Sequence, residues 1–221
     1  MTKLAAQSAF RYPLSTVFSG QVAARISREM FLHAGPLTVR ELAARTGATR
    51  KSVYLAVDSL VALGLVHRVG SAQTGLFRIV EDHPLSAHLG GLFRAEDERV
   101  HAVYRAIRLV AEEVSPRPIA TWLFGSVARG EDTPRSDFDL AVCANEDEVE
   151  AVVDAVREAL RPAGERLFVR FSVIGLSPRD ILRMDTDRDP FWMRLVRDAR
   201  AMSGPSPEDV LRQQHTHLDQ P

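Results

Sequence analysis

Residues 124–142 read FGSVARGEDTPRSDFDLAV. Two aspartates, Asp137 and Asp139, stand one residue apart at the head of an apolar run that reads as a strand entering a core. A carboxylate carried into a core is costly unless something pairs with it, and two side by side repel each other. The stretch therefore calls for a cation, either a metal ion or a nearby arginine such as Arg129 or Arg135. On a strand, residues i and i+2 share a face. Asp137 and Asp139 then present their carboxylates side by side while Phe138 and Leu140 pack on the opposite face.

The residues before the pair suit a phosphate. IATWLF reads as a strand and SVARG as a helical turn. Gly125 has no side chain and lets backbone come close. Ser126 opens a turn whose free N–H groups point at an anion, and its hydroxyl adds a donor. Arg129 lies within reach of the same volume. Two hard carboxylates beside phosphate oxygens describe a site for Mg²⁺, or for Mn²⁺ in its place.

The order strand, Gly-Ser, Arg-Gly, polar loop, SDFDL and apolar run resembles the DNA polymerase beta superfamily of nucleotidyltransferases, especially its small bacterial members. The resemblance spans about residues 118–202. It implies that Asp137 and Asp139 are the catalytic acids and hold two metal ions. It also implies that Gly125 and Ser126 hold a nucleoside triphosphate, with Arg129 and Ser136 completing the nucleotide-binding set. Active members of that family commonly carry a third carboxylate on a later strand. Here that strand is RLFVRFSVI, residues 166–174, with Leu167, Val169, Phe171 and Val173 on one face and Phe168, Arg170, Ser172 and Ile174 on the other. Arg170 or Ser172 holds the expected acid position, and Glu165 is the nearest acid before it. A missing base lowers a rate by about 10²–10⁴, so the motif supports nucleotide binding better than turnover.

Toward the N-terminus, Gly20 to Ala34 reads as a helix with Val22, Ile26, Met30 and Ala34 on one face. Thr38 and Glu41 form the signature of a capping box. Gly47 supplies a turn, and Thr49 caps RKSVYLAVDSLVALG. Two short β-like runs, LVHRV and LFRIV, flank the polar GSAQTG as a hairpin. The phrase LTVRELAARTGATRKSVYLAVDSLVALGLVHR resembles the winged helix-turn-helix of MarR and ArsR regulators over roughly residues 15–80. In that geometry the second helix enters the major groove by its N-terminal residues. The expected DNA-facing set is Thr49, Arg50, Lys51, Ser52 and Tyr54, with Arg68 and Arg78 beside the wing. A winged helix used for protein contact or dimerisation is the competing reading.

Charge divides the same way. Residues 1–80 carry ten Lys and Arg against three Asp and Glu, whereas residues 81–221 carry eighteen against twenty-six. A basic module beside an acidic one suggests different partners. Cys143 is the one cysteine in the sequence, which excludes an internal disulfide and a Cys-based zinc site. The first residues lack a signal-peptide core, and no apolar run approaches the roughly 18 residues of a membrane span. The expectation is a cytoplasmic protein that does not engage a membrane. His215 and His217 lie in HTHLDQP, which reads as a frayed end rather than a metal site.

The expected fold is α+β. A winged helix-turn-helix domain covers 1–82 and a helical linker 83–116, with HPLSAHLGGLF a short helix broken at Gly90-Gly91. An α/β nucleotidyltransferase domain with a mixed sheet covers 117–204, and a short helix and tail cover 205–221. Within it EDEVEAVVDAVREAL reads as a helix ended by PAGE, and PFWMRLVRDARAM as another. The expected function is nucleotidyl transfer from an NTP with Mg²⁺ to a hydroxyl on nucleic acid, protein or a small molecule, in a protein that also binds DNA, with a homodimer as a further expectation. The alternative is a DNA-binding regulator or antitoxin-like protein whose nucleotidyltransferase domain is catalytically degenerate.

Overall fold

The computed structural model describes residues 14–70 and 75–218. The chain forms two units, residues 1–98 and 99–221. The first contains α1 (Leu14–Val17), α2 (Gln21–Leu32), β1 (Leu37–Thr38), α3 (Val39–Thr46), α4 (Arg50–Ala62), β2 (Val66–Val69), β3 (Leu76–Ile79) and the start of α5 (Ser86–Glu113). Its strands pair antiparallel in the order β1-β3-β2.

Local chemistry sets these boundaries. Thr38 Oγ1 accepts from the Glu41 backbone N–H, and the Glu41 carboxylate accepts from the Thr38 N–H at 2.8 Å, closing the capping box. Thr49 caps α4 by accepting from Ser52 N–H. Ile26, Met30, Leu42, Val53, Val57 and Leu60 bury together with Phe77, Leu89 and Phe93. Only Ile26 and Met30 of the expected stripe are core; Val22 is exposed in the first turn of α2, and Ala34 is exposed beyond its end.

The second unit adds β4 (Ala120–Phe124), α6 (Gly125–Arg129), β5 (Phe138–Cys143), α7 (Val149–Leu167), β6 (Phe171–Leu176), α8 (Pro178–Thr186), α9 (Pro190–Asp198), β7 (Arg200–Ser203) and α10 (Pro207–Leu218). Its sheet order is β6-β5-β4-β7, with β5 and β6 parallel and the other pairs antiparallel. This is the mixed sheet expected from the sequence. Leu123, Leu140, Val142 and Val173 pack on one face against α7 and against Val103 and Ile107 of α5. Trp122, Ala141, Cys143 and Leu176 pack on the other against Ile181, Trp192, Leu195 and Val210.

Four local expectations fail for tertiary reasons. Helix α5 runs unbroken through Gly90-Gly91, because Leu89 and Phe93 anchor that turn in a core and outweigh a propensity cost of about 1 kcal/mol per glycine. Leu89 and Phe93 of this helix belong to the first unit's core, and Val103 and Ile107 to the second's. Helix α7 continues past Pro162 to Leu167 because Leu160 and Ala163 are buried on either side of the proline. Strand β6 therefore begins at Phe171 rather than at 166. Finally, residues 200–203 leave the helical reading and pair with β4, covering an edge that would otherwise expose unpaired backbone. Helix α10 carries His215 in its last turns.

Candidate nucleotide site and DNA-facing helix

The quoted stretch folds as strand, turn, loop and strand. Phe124 ends β4 opposite Asp139 on β5. Gly125 follows with φ 77°, a left-handed conformation, and starts α6. A Cβ on Gly125 would lie 2.3 Å from Asp139 Oδ2 and 3.2 Å from its Cγ. The absence of a side chain at 125 is thus what makes room for the Asp139 carboxylate directly over the Gly-Ser turn. No side chain caps α6 at Phe124.

Alternation along β5 sends Leu140 and Val142 to one core and Ala141 and Cys143 to the other. Asp139 shares the latter face, where Phe124 and Phe191 meet edge to face at 5.8 Å. Burial, with the charge of Asp137 added, pushes the Asp139 carboxyl above its ordinary value, against a smaller downward pull from Arg129. Asp139 therefore sits in a volume short of positive charge. Cys143 is buried and its thiol is pushed up to about 12, so it stays protonated and plays no nucleophilic part.

The cation that answers Asp137 is neither Arg129 nor Arg135. Arg170 Nε donates to Asp137 Oδ1 at 2.7 Å, and its Nη2 donates to the Arg135 carbonyl at 2.6 Å. Strand β6 runs parallel to β5 with Asp139 level with Ser172 and Phe138 level with Phe171. The neighbouring-strand positions beside the two acids thus hold Ser172 and Arg170, and neither is an acid. Glu165 lines the same cleft as Asp137 and Arg170, but it receives Arg161 Nη1 at 3.2 Å.

Arg129 is tied into a network that the sequence did not reveal. Its Nη1 donates to Asp198 Oδ2 at 2.6 Å and its Nε to Glu131 at 2.8 Å. Arg197 Nε donates to Asp198 Oδ1 at 2.8 Å. Hydrogen bonds from Arg197 and then Arg129 hold the Asp198 carboxyl down at about 2. The Asp198 side chain is only 6% exposed. Arg197 and Asp198 end an amphipathic helix with no motif spacing, so nothing in the sequence linked them to residue 129. Ser136 Oγ accepts from the Thr133 N–H at 3.0 Å and closes the loop before β5.

The donor set fits one hard divalent ion, with phosphate oxygens completing its shell. Asp139 and the second oxygen of Asp137 are the protein oxygens that would hold it. Among the described residues, no group of three or more His, Cys, Asp or Glu side chains is placed to hold a metal ion.

In the first unit, Thr49 and Ser52 share a hydroxyl contact at 3.0 Å at the start of α4. Arg50, Lys51 and Tyr54 are exposed there. Arg50 and Lys51 make no ion pair among the described residues. Arg68 stacks over the Phe77 ring at 5.2 Å, and Arg78 Nη2 pairs with Glu81 at 2.9 Å. The wing tip, residues 71–74, lies outside the described residues. No described helix is long and apolar enough to cross a membrane.

A family model described as polymerase beta, nucleotidyltransferase matches residues 107–176. A MarR family model matches residues 30–75. Among solved structures, a toxin–antitoxin crystal structure with AMP-PNP shares 16% identity over 52% of this chain and 88% of its own, with a TM-score of 0.32. A mutant of the toxin–antitoxin MntA-HpeT gives the same figures: 16%, 52%, 88% and 0.32. PigF with SAH shares 15% identity over 84% of this chain and 64% of its own, with a TM-score of 0.25. No curated protein matches the chain. The chain joins a MarR-family winged helix at residues 30–75 to a polymerase beta-type nucleotidyltransferase domain at residues 107–176, in that order.

Proposed function

We propose that the nucleotidyltransferase unit binds one nucleoside triphosphate with Mg²⁺ or Mn²⁺ and transfers its nucleotidyl group to a hydroxyl acceptor, while the winged helix binds DNA. The observation that carries the reading is Asp139 seated over Gly125, with a raised proton affinity and Asp137 beside it. A carboxylate at that spot, against a turn with no side-chain cap, is arranged for a cation and the phosphates it accompanies. Asp137 and Asp139 would hold the ion. When bound, it would polarise the α-phosphate and take up charge on the leaving pyrophosphate. The Gly125 backbone would approach the phosphates closely, and the Ser126 hydroxyl would donate to one of their oxygens. Arg129, braced by Asp198, would add positive charge. The acceptor oxygen bonds to the α-phosphorus as the bond to the bridging oxygen breaks, and its proton passes to water, since β6 supplies no acid to take it.

A second reading is favoured by the Arg170–Asp137 pair. The unit then binds nucleotide without turnover and informs a DNA-binding regulator. One assay separates the two. The protein is incubated with Mg²⁺, each α-labelled NTP and host lysate, beside Asp139→Asn. Label on a macromolecule or small product, lost in the variant, supports transfer and reveals the acceptor class. Equal label in both proteins sinks the transfer reading, and no label above the variant leaves the regulator. DNA binding is tested by titrating random-sequence and operon-proximal duplexes at rising salt, and no binding even at low salt would end that part.

A further inference from the structure

We propose that Arg170 stands in the place of a second divalent ion and of the third carboxylate that would hold it, so that the site takes one metal ion beside one fixed guanidinium. The inference rests on the nucleotide-binding reading above. Its first support is position. The parallel register sets Ser172 level with Asp139 and Phe171 level with Phe138. The residue preceding Phe171 therefore lies beside Asp137, and that residue is Arg170.

The second support is how the guanidinium is held. Nε reaches Asp137 Oδ1 at 2.7 Å while Nη2 reaches the Arg135 carbonyl at 2.6 Å. Two bonds at different points of a planar fork fix its orientation as well as its distance. A guanidinium has five N–H donors, so three remain for phosphate oxygens. The side chain is 70% exposed, and a ligand therefore meets it without displacing a core.

The third support is charge. Arg170 matches Asp137, and Asp139 is left without a partner of its own among the hydrogen bonds and ion pairs of the described residues. One divalent ion meets that remaining demand. A second ion at Asp137 would sit against a positive charge already bonded to the same carboxylate, with no third acid to offset the repulsion. Arg170 thus supplies charge without coordination. It can neutralise a phosphate, yet it cannot polarise a hydroxyl as a metal ion does.

Bound Mn²⁺ is counted by electron paramagnetic resonance on the full chain, with and without a non-hydrolysable NTP analogue. The wild type is expected to hold one Mn²⁺ with the analogue, and Arg170→Asp two. In nucleotide-free protein at low salt, Arg170→Ala should bind Mn²⁺ roughly tenfold more tightly, from removing a unit charge about 5 Å from a divalent ion in a water-like dielectric. Two ions in the wild type would overturn the inference and leave the nucleotide-binding reading standing. One ion in Arg170→Asp, with its melting temperature unchanged, would overturn it too. Unchanged Mn²⁺ affinity in Arg170→Ala would reduce the pair to an exposed salt bridge of little consequence and would also overturn it. No ion in any variant, with or without the analogue, would remove the nucleotide-binding reading itself.

Discussion

Replacing Gly125 by alanine separates backbone strain from crowding of the site. Two costs are combined at this position. The backbone sits at φ 77°, and holding an L-residue in the left-handed region costs about 1–2 kcal/mol. The new Cβ would also stand 2.3 Å from Asp139 Oδ2, so the carboxylate must move by roughly 1 Å to regain ordinary contact. Gly130 is the natural control. It has φ 71° and nothing within 4 Å of a Cβ, so Gly130→Ala carries the same strain without the collision. For a unit of this size, each kcal/mol shifts the melting temperature by about 3–6 °C. Both variants should therefore lose about 3–12 °C, read by differential scanning calorimetry. Only Gly125→Ala should lose ligand as well. An Asp139 carboxylate moved by about 1 Å no longer meets the ion in the same place, and the Mn²⁺–nucleotide affinity, read by titration calorimetry, should fall. Equal nucleotide affinity in the two variants would refute the argument that Gly125 exists to seat Asp139.

Three further outcomes follow from the charges. Asp198 has its pKa depressed to about 2 from 3.8, so its contribution to stability is present above about pH 4 and is lost as pH falls toward 2. Asp198→Asn should have a lower urea midpoint than wild type at pH 6, with the gap closing between pH 4 and 2; a pH-independent gap contradicts this. Asp139 titrates in the opposite sense. Its folded pKa is raised, so the stability it contributes is full below its unfolded value and is lost as pH rises through the folded one. In metal-free buffer, Asp139→Asn should melt at or above wild type at pH 7, and a clearly lower melting temperature would show that Asp139 is structural. On the winged helix, Lys51→Ala should weaken binding to all duplexes alike and reduce the slope of log K against log salt by about 0.9. An unchanged slope would remove Lys51 from the DNA-facing set.

Much of the site was legible because its signals are local. A capping box needs only Thr38 and Glu41 three residues apart, and the structure forms it. The two-residue spacing of Asp137 and Asp139 puts only Asp139 in the strand, because β5 begins at Phe138 and Asp137 stands just before it. The missing third acid was also legible, since no Asp or Glu occurs between Leu167 and Leu176. The identity of Asp137's cation was not. Arg129 and Arg135 are its neighbours in sequence, yet Arg170, thirty-three residues away, makes the bond. Sheet pairing chose the partner, and the pairing register depends on the whole β5–α7–β6 unit.

By itself the sequence determined the two-module order, the helix caps of the winged helix, the Gly-Ser turn and the two aspartates set close together where a strand begins. Each follows from residues a few positions apart, where bond geometry and capping act without help from the rest of the chain. Tertiary structure alone decided that α5 passes through Gly90-Gly91, that α7 passes through Pro162, that residues 200–203 become a strand, and that Asp198 braces Arg129. In the helices, burial of Leu89, Phe93, Leu160 and Ala163 outweighs a local preference of about 1–3 kcal/mol. At the site, ion pairs join residues that only the fold brings within 3 Å. Coulomb energy depends on that distance and on burial, and neither quantity is written in the spacing of residues along the chain.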